Sequence, residues 1–197
     1  MIIAYAVPNI KCKGVFCMSK IVVLTGSARM NGNSSAMAKA FVEAAQAKGH
    51  TVIRHDAALM NVGGCHGCQT CYSTGKPCSF DDDFNKIADD LLTADGLVFA
   101  MPVYWYSMPG QIKNVIDKMF SFAIGGKPYT GKKVALIACC EEEDPAILDG
   151  IRIPYERTAA LNKWIDVGQV LIPGVLEAGA IHKTDGEARA AALADKF

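Results

Sequence analysis

Ile21-Val22-Val23-Leu24-Thr25-Gly26-Ser27-Ala28-Arg29-Met30-Asn31-Gly32-Asn33-Ser34-Ser35 decides the fold. The first four residues are apolar at every position, as in a strand buried on both faces, and do not alternate as a strand with one wet face would. Beyond the polar turn, Met37, Ala40, Phe41, Ala44 and Ala45 recur at helical spacing, with Asn33 or Ser34 as cap and Gly49 as stop. A doubly buried strand that runs through a short polar turn into an amphipathic helix is half of a strand-helix-strand unit.

The same alternation continues outward. Thr51 to His55 reads as strand two, and residues 57–80, rich in Gly and Cys, form a loop that must be functional or clamped, since structureless loops of this length are uncommon in compact domains. Asp81-Asp82-Asp83 opens a helix running through Ile87 and Leu91, where carboxylates favour the partial positive charge of the helix N-terminus. Leu97 to Met101 is strand three. It leads into Pro102-Val103-Tyr104-Trp105-Tyr106, too aromatic and too broken to continue as sheet. A third helix begins near Pro109, with Ile112, Val115, Ile116, Met119 and Phe120 as its buried stripe. Val134 to Cys139 is strand four, and the acidic run Glu141 to Asp144 follows closely. A fourth helix is expected over Arg157 to Asp166, strand five over Gln169 to Ile172 with the Gly-rich segment to Ile181, and an Ala-rich terminal helix capped by Asp185.

Strands that alternate with helices imply an α/β fold: parallel strands, right-handed crossovers and helices on both faces of one doubly wound five-stranded sheet. Ligands in such folds bind at the carboxyl ends of the strands where the winding reverses, which for the order 2-1-3-4-5 lies between strands one and three. The two most unusual loops of the chain follow those two strands.

Composition narrows the function classes. The 197 residues fit a single domain, taken as residues 18–197. With 20 basic and 20 acidic side chains, the chain lacks the positive field that binding a phosphate backbone requires, so nucleic acid is not an expected partner. No run approaches the roughly 20 apolar residues that cross a bilayer, and the expectation is a cytoplasmic protein without a membrane partner. Residues 1–17 place Lys11 and Lys13 after their apolar run, the reverse of a signal peptide, and read as an extension or upstream start outside the fold, with Cys12 and Cys17 as incidental thiols. Four of the eight cysteines crowd into one loop as Cys65-x2-Cys68-x2-Cys71-x6-Cys78. That crowding points to a metal or cluster site, not to a disulfide scaffold.

The turn after strand one is an anion cradle. Hydroxyls of Ser27, Ser34 and Ser35, the Asn33 amide, backbone N–H groups and the helix dipole converge there, and Arg29 adds charge. It lacks both the G-x-G-x-x-G spacing of dinucleotide binders and the terminal Gly-Lys-Ser/Thr of a P-loop, so a monophosphate is favoured. An ordinary capped helix with a polar loop is the bland alternative. Beside it, Pro102, Val103, Tyr104, Trp105 and Tyr106 offer the wall a planar heteroaromatic ring needs, although aromatic clusters more often belong to a core.

On Gly26-Ser27-Ala28-Arg29 through Ser35, the cysteine loop ending in Asp82-Asp83, and Ala94-Asp95-Gly96 through Pro102-Val103-Tyr104-Trp105 to Ile112-Lys113-Asn114-Val115-Ile116-Asp117, the sequence resembles the NADPH-dependent FMN reductase superfamily of flavodoxin-like proteins. Within that superfamily it resembles the iron–sulfur flavoproteins. The resemblance implies a flavodoxin-like fold and FMN with its phosphate on Ser27, Arg29, Asn33, Ser34 and Ser35. The flavin ring would lie against Pro102 to Tyr106, with Cys140 to Glu143 on its other side, although the family's counterpart of that loop is often Gly-rich and neutral where this one is acidic. It also implies a homodimer or homotetramer that completes the flavin pocket across subunits. The cysteine spacing is close to the compact pattern that iron–sulfur flavoproteins use for a [4Fe-4S] cluster. A zinc site, with His66 replacing one thiolate, and free or regulatory thiols both remain open.

Two functions are therefore expected. In the first, an oxidoreductase passes electrons from NAD(P)H through FMN to a small acceptor such as a quinone or flavin, with no side chain acting as acid or base because the flavin carries the chemistry. In the second, a cluster on Cys65, Cys68, Cys71 and Cys78 exchanges electrons between FMN and a ferredoxin-like partner. A flavin-free or zinc-stabilised binding module is the remaining alternative.

Overall fold

The computed structural model describes residues 18–197, so the expectations attached to residues 1–17 lie outside the described residues. Strands β1 (Lys20–Thr25), β2 (Thr51–Asp56), β3 (Gly96–Pro102), β4 (Lys133–Cys139) and β5 (Ile165–Ile172) form one sheet in the order β2-β1-β3-β4-β5, with every pairing parallel. The doubly wound, flavodoxin-like architecture is therefore the one expected. The apolar runs divide between the faces with the two-residue period of a strand. Val22, Leu24, Leu97, Phe99 and Leu136 face one core layer, and Ile21, Val23, Val98, Ala100 and Ile137 face the other. Helices α1 (Asn33–Ala47) and α6 (Gly186–Ala192) cover the second layer. Helices α2 (Phe84–Thr93), α3 (Gly110–Lys118), α4 (Phe120–Ile124) and α5 (Asp149–Leu161) cover the first. Among the described residues no helix is long and apolar enough to cross a membrane.

Local departures from the sequence expectations have physical causes. The fourth helix, expected from Arg157, instead begins at Asp149 and runs through Pro154, because Ile151, Tyr155 and Ala159 supply a buried stripe at helical spacing. Strand β5 begins at Ile165 and accommodates a carboxylate, Asp166, whose oxygens accept from Tyr155 Oη at 2.9 Å, Gly168 N–H at 3.0 Å and Gln169 Nε2 at 2.8 Å. The Gly-rich segment to Ile181 does not extend this strand; it is a loop followed by a 3-10 turn at Ala180–Lys183. The third helical run is jointed at Met119: α3 ends at Lys118, and Phe122 N–H donates to the Met119 carbonyl at 3.0 Å in a tightened turn. The joint leaves Phe120, expected in the buried stripe, exposed, while Lys118 and Ser121 are buried. Ahead of α2 the N-cap residue is Asp83, whose side chain makes no cap bond, and the middle aspartate of the triplet, Asp82, instead accepts from the first N–H of the helix, Phe84 N–H, at 3.0 Å.

Candidate functional site

Because the strands are parallel, the turns leaving β1, β3, β4 and β5 emerge at one edge of the sheet, where they enclose a cleft of about 470 Å³. That volume lies within the range of small-molecule and cofactor sites. Ser27, Arg29, Asn33, Ser34 and all of Pro102, Val103, Tyr104, Trp105 and Tyr106 border it, together with Cys139 to Glu142, Val175, Leu176 and Ala178.

The β1 turn starts with a close approach. A Cβ on Gly26 would sit 2.9 Å from Ile112 Cγ2 and 3.1 Å from Met101 Cβ, so only glycine lets the chain leave the sheet this tightly against α3. The turn then closes around the backbone of Arg29. Ser27 Oγ accepts from Arg29 N–H at 3.1 Å, and both Ser27 Oγ and Ser35 Oγ donate to the Arg29 carbonyl, at 3.2 and 3.1 Å. Ser35 thus shapes the turn and does not itself border the cleft, while the Arg29 side chain stays exposed at the rim. The N-cap of α1 is Gly32, where the sequence suggested Asn33 or Ser34, and no side chain caps this helix. The first backbone N–H groups of α1 and the Ser34 hydroxyl, on the cleft wall, remain for an anion.

Asn33 has a different task from the one its type suggests. Its Nδ2 donates to the carbonyls of Val175 and Glu177 at 3.0 and 2.9 Å, and its Oδ1 accepts from Gly179 and Ile181 N–H at 3.1 and 3.3 Å. All four bonds tie α1 to the segment after β5, so the amide positions one wall of the cleft and is not available to an anion.

The β3 turn is a strained platform. Val103 N–H donates to the Cys139 carbonyl at 2.9 Å, and Tyr104 and Ser107 exchange two backbone bonds at 2.9 and 3.0 Å across a two-residue turn. Both central residues have positive φ, 48° at Trp105 and 61° at Tyr106, a conformation usually given to Asn-Gly. Trp105 is 95% exposed, so no packing in the chain repays the strain of about 1–2 kcal/mol per left-handed residue. Trp105→Gly is therefore expected to raise the unfolding free energy by about 1 kcal/mol while weakening the hold on a planar aromatic ligand. A chemical melt paired with a flavin titration checks this, and a variant that loses stability would refute the assignment of strain.

Helix α5 braces the platform from behind, since a Cβ on Gly150 would lie 1.7 Å from the Tyr106 carbonyl oxygen. On the other side, the Glu142 carboxylate beside the Tyr106 phenol pushes its ionisation above the ordinary range. The cleft thiols are kept protonated: burial pushes Cys139 up to about 12 and raises Cys140, so neither serves as a thiolate nucleophile. Gly150, Val175 and Leu176 carried no local sequence signal for the site.

The cysteine loop is pinned at both stems by α2 and α3. Asn114 Nδ2 donates to the Val62 carbonyl at 2.8 Å, while Asn61 and Gly63 N–H donate to Asp83 and Asp82 carboxylates at 2.8 and 2.9 Å. Asn85 accepts from Cys78 N–H at 2.8 Å and donates to the Cys78 and Phe80 carbonyls, both at 3.1 Å. His66 stacks on Phe80, with ring centroids 4.4 Å apart. Cys65, Cys68, Cys71 and Cys78 all line one small cavity of about 20 Å³. The Thr70 hydroxyl draws the Cys68 thiol below its usual range, whereas burial raises Cys71. Among the described residues no three His, Cys, Asp or Glu side chains are drawn together as a finished metal site.

The chain is similar in sequence and in fold to known proteins. An iron-sulfur flavoprotein of Archaeoglobus fulgidus is 30% identical over 103 residues, covering 52% of this chain and 46% of that protein. Another from Methanosarcina thermophila is 30% identical over 99 residues, 50% of this chain and 51% of that protein. The chain thus spans about half the length of the curated relatives it matches. An azoreductase from Bacillus anthracis superposes with a TM-score of 0.70 at 21% identity, covering 91% of this chain and 100% of that one. An NAD(P)H:quinone oxidoreductase from Methanothermobacter marburgensis superposes with a TM-score of 0.66 at 17% identity, covering 90% and 95%. These two likenesses establish the fold. The sequence of residues 19–145, well over half of the chain and inclusive of the turns after β1 and β3, matches the family described as NADPH-dependent FMN reductase, and to that family the chain belongs.

Proposed function

We propose that this chain binds FMN in the cleft and passes electrons from NAD(P)H to a small acceptor such as a quinone or another flavin. The observation that carries this reading is an uncapped helix N-terminus sharing one cleft with an exposed aromatic turn. The residues present fit the group. A phosphate would be held by the Ser27 and Ser34 hydroxyls, the Arg29 guanidinium and the first N–H groups of α1, with Asn33 and Ser35 shaping the cradle. Pro102 to Tyr106 would hold the ring against the sheet edge, and Cys140 to Glu142 would border its other side. Bound flavin supplies the redox chemistry, exchanging electrons in pairs or singly. The chain orients it and narrows access to it, and no side chain acts as a general acid or base.

Exposed apolar side chains at the cleft, Trp105 and Leu176, support a homodimer or homotetramer that covers them. Thiols kept reduced on the cysteine loop suit the cytoplasm.

The loop itself supports a second component, a [4Fe-4S] cluster on Cys65, Cys68, Cys71 and Cys78. The donor set is right in kind and spacing, all four thiols face one cavity, and the relatives named above are called iron-sulfur flavoproteins. A ferredoxin-like protein is the matching electron partner. Zinc or free thiols are the competing outcomes.

Anaerobic mixing of the FMN-loaded protein with NADH and with NADPH tests the first reading. Either nucleotide should bleach the flavin's visible absorption, and a quinone should restore it. Flavin that stays oxidised with both nucleotides rejects NAD(P)H as donor. Metal and acid-labile sulfide assays on protein purified without oxygen test the second, expecting about four irons and four sulfides per chain. Zinc without sulfide, or no metal at all, rejects the cluster.

A further inference from the structure

The charges along the flavin cleft are unevenly placed. Among the described residues that border it, Arg29 is the one base, and Glu141 and Glu142 are the acids. In the reading above, the flavin phosphate takes up Arg29. The two glutamates lie on the turn after β4, which that reading sets beside the ring. Both are exposed, and they lead into Glu143 and Asp144, exposed as well. Asp144 Oδ1 accepts from Ala146 N–H at 2.9 Å. None of the four carboxylates forms an ion pair among the described residues.

The backbone holds this charge in place. The Glu142 carbonyl accepts from Gly174 N–H at 2.8 Å and from the Cys140 thiol at 3.3 Å, and Val175 N–H donates to the Cys140 carbonyl at 2.9 Å. These bonds tie the acidic turn to the segment after β5, while the Glu142 carboxylate meets the Tyr106 phenol on the turn after β3. A small molecule must touch the flavin ring to exchange electrons with it. Any charge on that molecule's own ring therefore enters the field of two fixed carboxylates, and with Arg29 engaged no lining base answers them. In NAD(P)H the negative charges lie on the phosphates, away from the nicotinamide, so this field sorts acceptors more than donors.

We infer that Glu141 and Glu142 are specificity-determining residues that admit uncharged or cationic aromatic acceptors and turn away rings bearing a carboxylate, sulfonate or phosphate, a step that rests on the FMN reading above. The acceptor class narrows accordingly. A quinone without acid groups fits the cleft, and a flavin that carries its own phosphate does not. The selection is electrostatic and acts at an exposed rim, so salt weakens it.

The test is an equilibrium titration, followed by flavin fluorescence, of FMN-loaded wild type and Glu141→Gln/Glu142→Gln with three oxidised naphthoquinones. One is unsubstituted, one bears a trimethylammonium group and one a sulfonate. Flavin and quinone are both oxidised, so the readout is binding and no electron passes. At about 0.01 M salt the cationic ring is expected to bind wild type about tenfold or more tightly than the sulfonate, since two rim carboxylates attract one and repel the other. At about 1 M salt, where the Debye length shrinks to about 3 Å, the ratio should fall to within about twofold. Glutamine keeps the size of the side chain and still accepts from the Tyr106 phenol, so the double variant should show the smaller ratio at low salt too. An equal or reversed order in wild type at low salt overturns the charge selection, and this comparison needs no variant. A ratio that persists in the folded double variant overturns its assignment to Glu141 and Glu142. A protein that binds no FMN, or a loaded one that binds none of the three rings, overturns the acceptor reading above and the inference with it.

Discussion

Gly150→Ala is expected to weaken FMN binding by at least about tenfold, although residue 150 does not border the cleft. The added methyl would fall 1.7 Å from the Tyr106 carbonyl oxygen and 2.8 Å from its carbonyl carbon, so the backbone of the aromatic turn has to move. No side-chain rotation relieves a clash with backbone. The expected sign is informative because glycine inside a helix is ordinarily worse than alanine by about 1 kcal/mol. If α5 were unconnected to the platform, the substitution would stabilise the protein and leave affinity alone. Overpacking instead costs about 1–3 kcal/mol, and the turn that holds the ring carries the displacement. Calorimetric unfolding with FMN titration distinguishes the two; a more stable variant with wild-type affinity would show that α5 does not brace the platform.

Ser27→Ala combined with Arg29→Ala is expected to weaken FMN binding by about 100-fold or more, because hydrogen bonds to a charged group contribute about 1.5–3 kcal/mol each. The fold should survive. Arg29 is exposed, and the turn keeps the Ser35 bond to the residue-29 carbonyl and the Gly32 N–H bond to that same carbonyl at 2.9 Å. Far-ultraviolet circular dichroism should match wild type, while isothermal titration shows the loss. Equal affinity in variant and wild type would move the phosphate elsewhere.

Much of this architecture was legible in the chain because burial on both faces leaves a local signature. Ile21 to Leu24, Leu97 to Met101 and Val134 to Cys139 are apolar without interruption, and each is a central strand of the sheet. The edge strand β5 was misjudged where long-range partners override local preference. Asp166 looks like a helix or loop residue until Tyr155 and Gln169 satisfy it, and Pro154 looks like a helix stop until its neighbours bury the opposite stripe. The candidate site divides in the same way. Ser27, Ser34, Arg29 and the aromatic turn were legible from their position after β1 and β3. Asn33 was recognised as a site residue but not as the clamp it is, because its partners lie 142 to 148 positions further along the chain. Lys118, one of several charged residues in α3, gave no local sign that the Met119 joint buries it beneath the cysteines.

Every functional reading here depends on the turns after β1 and β3 jointly holding a flavin by its phosphate and its ring. Equilibrium titration of the wild-type protein with FMN and with riboflavin, which carries the same ring without the phosphate, measures that directly. FMN should bind stoichiometrically and riboflavin about 100-fold more weakly, with the difference largely abolished in the Ser27→Ala/Arg29→Ala protein. Equal binding of the two flavins, or no binding of FMN, would contradict the account.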